Sequence, residues 1–196
     1  MAENYEGSHE SVDVGAVDSK SKRTLYYALT STLFFILYSF LVLGSVGKCF
    51  ELEGSSNLGL TFTYDLQMVQ SFFELRDQEQ LACYSDFLKI WDVIYAVIYA
   101  SMYSFWIKYL IDKKAMLFLV PILAMVADWG ENFIEVVLIN RYLESQSISE
   151  TLVSLGSTIN TAKWIFLCLT YLIILYGIAT KVKSTFTSRK TDIELN

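Results

Sequence analysis

Four stretches of this chain reach the ~20 mostly apolar residues that a bilayer-crossing helix needs, and one of them carries three carboxylates. They are "LYYALTSTLFFILYSFLVLGSV" (25–46), "LKIWDVIYAVIYASMYSFWIKYLI" (88–111), Ala115 to about Asn140, and "AKWIFLCLTYLIILYGIAT" (162–180). Only "DKK" separates the second from the third, which reads as a tight antiparallel hairpin. The expected fold class is therefore all-α: an antiparallel bundle of four transmembrane helices with a long, partly helical loop between helices one and two. Pro121, early in the third stretch, is expected to kink it.

Composition narrows the chemistry. The chain is 54% hydrophobic and 15% aromatic with one proline, a profile that fits a membrane protein better than a soluble domain. A net charge of −6 without a basic patch argues against nucleic acid as a partner. The one histidine, His9, lies in a polar leader, so helices cannot supply the imidazoles that b-type haem, His-bound zinc or di-iron centres require. No cofactor and no metal are expected.

Residues 1–24 read as a disordered tail without the apolar run of a signal peptide, and 181–196 as a second tail. Basic residues fix the expected orientation. Lys20, Lys22 and Arg23 precede helix one, Lys113 and Lys114 fill the short turn, and Lys181, Lys183, Arg189 and Lys190 follow helix four. The 47–87 loop has only Lys48 and Arg76 among many acids. Both termini are thus expected in the cytoplasm, with 47–87 and 141–161 on the other side; plasma membrane and endomembrane are not distinguished.

Within 47–87, Leu66, Met68, Val69, Phe72, Phe73, Leu75 and Leu81 recur near helical spacing, which predicts one or two amphipathic helices capping the bundle. Cys49 and Cys83 lie on the side where disulfides persist, and the sequence leaves their bonding open. Cys168, inside helix four, reads as a small apolar residue.

Asp128, Glu131, Asn132 and Glu135 are spaced i, i+3, i+4, i+7 and so share one helical face. Each charged group costs at least ~2.5–3.5 kcal/mol at the centre of a spanning helix, so this face should turn into the bundle. At similar depth helix two offers Lys89, Asp92, Tyr95 and Tyr99, helix four offers Lys163, Trp164, Thr170 and Tyr171, and helix one Tyr38 and Ser39. Glu135 with Lys163 is the expected ion pair, with Asp92 or Glu131 competing, and tyrosine hydroxyls can donate to the remaining acids. Because carboxylates outnumber lysines here, at least one acid is expected to carry a proton.

The order of features resembles an uncharacterised family of small four-helix integral membrane proteins. It has a tyrosine–aspartate–tyrosine pattern entering helix two, matched by Tyr84, Asp92 and Tyr95 or Tyr99, and a D-x-x-E-N motif in helix three, matched by Asp128, Glu131 and Asn132. The Gly-Arg pair that often precedes the tyrosine is absent from "QLACY". The resemblance covers roughly 25–180 and implies the topology and these acids as a unit, with no activity attached.

Two uses of the acids compete. They can be interhelical glue, or they can line an outward pocket for a cation, a proton, an amine or a lipid headgroup. An enzyme is not expected. The Gly-x-Gly-Asp element of intramembrane aspartyl proteases is missing, since "MVA" precedes Asp128, and no Gly-x-Ser-x-Gly, histidine cluster or phosphate loop occurs. The favoured reading is a small-ligand- or lipid-binding or membrane-assembly protein. The alternative is a proton- or cation-coupled transporter or channel subunit, which with four helices would act as a homo-oligomer or with a membrane-protein partner.

Overall fold

The computed structural model describes residues 14–111 and 115–194, and these are all-α: no strand occurs among them, only an isolated bridge between Leu52 and Ser55. The expectations placed on His9, Lys113 and Lys114 lie outside the described residues.

Helix α1 (Val14–Leu37) runs on through a π-helical stretch, Tyr38–Leu43, a turn at Gly44–Val46 and a 3-10 turn at Gly47–Cys49. The short α2 (Leu66–Glu74) and α3 (Gln78–Asp86) follow, and α3 leads through a second π-helical stretch, Phe87–Asp92, into α4 (Val93–Leu110). Then come α5 (Leu119–Ser145) and α6 (Glu150–Glu194). Three helical runs are long and apolar enough to cross a membrane: Ser21–Cys49, Gln78–Leu110 and Glu150–Ser184. Helix α5 is 27 residues long but is interrupted by its acids and is not among the three.

The helices outrun the apolar windows. Helix α1 starts at Val14, inside the stretch 1–24 expected to be a disordered tail. The second run starts at Gln78, ten residues before Leu88, because Asp77 accepts from Gln80 N while Gln80 reaches back to Asp77 N, a capping box that closes two orphan N–H groups. Helix α6 absorbs most of the expected 141–161 loop and continues through the expected 181–196 tail to Glu194. Ser149 starts it, accepting from Leu152 N, and no proline follows to stop it. Pro121 falls in the first turn of α5, where its missing N–H has no intrahelical acceptor anyway. The kink expected there is therefore replaced by a helix start.

Helix α5 packs along α6, α4 packs against both, and α1 packs closely along α4 alone. At the far end of α6, Gly177 lets α4 approach: a Cβ there would lie 2.7 Å from Leu110 Cβ. Phe50, Phe72, Phe73 and Tyr84 pack on Leu138 and Ile139 to form a core beneath the 47–87 segment. Amphipathic α2 contributes to it, burying Val69, Phe72 and Phe73 of the positions its spacing marked, whereas Met68 and Leu75 are exposed, and Asp65 caps it by accepting from Met68 N at 2.8 Å.

Two bonds close this cap. Cys49 and Cys83 form a disulfide that ties the end of the first run to α3. Arg76 is buried, and its guanidinium donates to Phe50 O and Phe72 O, both at 2.9 Å, and to Ser55 Oγ at 3.3 Å, while lying over the Phe72 ring. Burial draws the Arg76 guanidinium below its ordinary value, and the nearby Tyr84 pulls it back up.

Candidate functional site

The acids of α5 come together under the cap. Asp128, Glu131, Asn132 and Glu135 are all buried on one face, and Lys163 of α6 is buried opposite them. Glu131 is fully enclosed at 0% exposure and Lys163 retains 6%, so solvent screens this pair little.

The partners differ in part from those expected. Lys163 Nζ donates to Glu131 Oε2 at 2.5 Å and lies 3.2 Å from Asp128 Oδ1, and its third direction reaches Gly59 O at 3.0 Å. Glu135, expected to pair with Lys163, instead accepts from the Tyr84 hydroxyl at 2.5 Å. The reason is geometric: α3 brings Tyr84 over the outer turn of α5, while Lys163 sits about one turn deeper, level with Glu131. Asp92 does not compete for the ammonium either; its Oδ2 accepts from Asn132 Nδ2 at 2.8 Å. Tyr99 donates to Asp128 Oδ2 at 3.1 Å, as anticipated for the tyrosines of this helix. Tyr95 stands apart from the acids' hydrogen bonds, stacked on Phe35 at 5.4 Å and Tyr38 at 6.4 Å.

The two π-helical stretches lie side by side at this level. A π turn widens the helix and frees carbonyls from the regular ladder. Side chains fill that gap: Tyr38 donates to Trp91 O at 2.9 Å and Asn132 Nδ2 points to Leu88 O at 3.5 Å. The second stretch ends at Asp92, which it presents toward Asn132.

Beside the cluster lies a cavity of about 420 Å³. Phe35, Ser39 and Leu43 of the first run form one wall, and Trp164, Leu167 and Tyr171 of α6 the other. Asp92, Tyr95, Tyr99, Asp128 and Asn132 line its back, and Gly59, Asn57 and Glu51 its upper end. The lower end is closed by Tyr103 and Tyr171, whose hydroxyls lie 2.7 Å apart. Among the described residues, no group of His, Cys, Asp and Glu is placed to hold a metal ion.

Spacing alone missed Gly59, whose carbonyl meets Lys163 across 104 positions from a segment with no periodicity. A Cβ at Gly59 would make ordinary contact with Glu131 Oε1 at 3.4 Å and Lys163 Nζ at 3.5 Å, which places this residue directly against the ion pair. The pairing of Tyr84 with Glu135 was also missed. Tyr64, also in the cap, has a buried hydroxyl without a partner, and burial together with Glu135 and Glu131 pushes its phenol well above the usual range, so it stays neutral.

No protein-family model, curated protein or solved structure matches the chain.

Proposed function

We propose that this chain is a multi-pass integral membrane protein, a bundle of four spanning helices with both termini cytoplasmic, that binds a small amphiphilic molecule in the cavity beside its acidic cluster. The carrying observation is the cavity itself. At about 420 Å³ it falls in the range of ligand pockets, and its apolar and aromatic walls converge on a few placed polar groups.

The distribution of exposed apolar surface supports the membrane reading. Phe40 and Leu41 of the first run, and Leu172, Leu175 and Tyr176 of α6, all stand outward with 60–77% exposure, a surface that water would disfavour and lipid would cover. Helix α5 then spans as the inner member, its acids turned to α4, α6 and the cap. Coupled proton or cation transport is supported less well, because the Tyr103–Tyr171 contact and the packed Gly177–Leu110 crossing narrow the described bundle below the cavity.

Native mass spectrometry of the protein released from its own membranes tests the reading. The expected result is one retained amphiphile, absent from Leu167→Trp, in which the indole fills the cavity while the melting temperature holds. A wild-type protein that carries nothing, and whose stability no added amphiphile alters, would overturn it.

A further inference from the structure

Resting on that ligand-binding reading, we infer that the occupant is a single-chain amine: its ammonium sits on Asp92 and its chain enters sideways between the first run and α6.

The headgroup follows from which charges are already engaged. Lys163 has three N–H donors, and they meet Glu131, Asp128 and Gly59 O. It has no donor left for an anionic ligand. Asp128 is likewise occupied, with Lys163 on one oxygen and Tyr99 on the other. Asp92 differs. It lines the cavity, its Oδ2 is held only by the neutral amide of Asn132, and no described hydrogen bond reaches its Oδ1. A carboxylate in a low-dielectric wall, hydrogen-bonded by a neutral amide while the nearby Lys163 makes its close contacts to other groups, is poorly compensated, and a ligand ammonium supplies both charge and donors. Tyr95 and Tyr99 flank Asp92 on the same wall, and Trp164 stands opposite; aromatic faces at such a site favour a cation further. A phosphate would instead meet Asp92, Asp128 and Glu51, and Lys163, which also lines the cavity, already makes its contacts to Glu131, Asp128 and Gly59 O. An alcohol would leave the charge unanswered.

The chain's route follows from the packing. Helix α1 packs closely along α4, and the cavity lies in the seam between the first run and α6. The cavity wall on α4 runs from Asp92 to Tyr103, about 16 Å at ~1.5 Å per residue, which suits an extended hydrocarbon lying along the helices. Tyr171 lines the lower end of the cavity yet is 49% exposed, so this seam opens to the side where lipid would lie.

The test uses the full chain in nanodiscs of zwitterionic lipid, with dodecylamine, dodecanol and dodecyl phosphate as probes and thermal unfolding and saturable binding as readouts. Dodecylamine is expected to bind at least tenfold more tightly than the other two, to lose that advantage in Asp92→Asn, and to lose saturable binding altogether in Leu167→Trp. If the three probes bind alike, or the phosphate binds best, the amine assignment is overturned while the cavity reading stands. If none binds saturably to the wild type, both fall. The wild-type comparison decides by itself should Asp92→Asn fail to fold.

Discussion

Lys163 Nζ lies 2.5 Å from Glu131 Oε2, both side chains almost wholly enclosed, and the same ammonium holds Asp128 at 3.2 Å. One cation thus neutralises part of a cluster that would otherwise be uniformly acidic. Removing it strands buried charge, so Lys163→Met is expected to lower stability by about 3–5 kcal/mol. Adding Glu131→Gln to that variant should restore part of the loss. Chemical unfolding in mixed micelles measures both, and a Lys163→Met protein as stable as wild type would refute the arrangement.

Tyr84 donates to Glu135 Oε2 at 2.5 Å, and both side chains are buried. Tyr84→Phe should therefore cost about 1–3 kcal/mol, the penalty of a buried acceptor left unmet. In a double-mutant cycle with Glu135→Leu, the two losses should be clearly less than additive, because they share one bond.

The disulfide makes a prediction readable by mass. Without reductant, a maleimide applied to the unfolded chain should label Cys168 alone, and after reduction it should label all three cysteines. Replacing Cys83 with serine should lower stability by about 2–4 kcal/mol, the usual effect of opening a covalent loop of this order. Three labels without reductant would show that the bridge does not form.

Arg76 is expected to matter through geometry more than through charge. Its planar fork reaches two carbonyls and a hydroxyl while its face rests on Phe72. A lysine cannot reproduce that fork, so Arg76→Lys should cost about 1.5–3 kcal/mol and expose 47–87 to proteolysis. Equal cleavage rates in the two proteins would refute the role.

Much of this architecture was legible because local rules govern it. The 3.6-residue period placed Asp128, Glu131, Asn132 and Glu135 on one face, and that face is buried. The same period marked the buried side of α2. Helix ends were less legible, because hydropathy windows stop where residues turn polar, whereas a helix continues until a proline, a left-handed residue or a missing cap ends it. Hence α6 runs well past both ends of its apolar window, and α5 continues to Ser145 before Gln146, at φ 55°, closes it.

What the sequence by itself determined is the inventory: an all-α chain, a polar helical face, lysines and tyrosines on the neighbouring helices, and two cysteines able to meet. What only the tertiary structure decided is the pairing. Lys163 belongs to Glu131 and Asp128 because the cap lowers Gly59 onto it, Glu135 belongs to Tyr84 because α3 crosses above it, and Asp92 faces a cavity walled by the first run and α6. Those contacts depend on distances between segments far apart in the chain, to which no local period is sensitive.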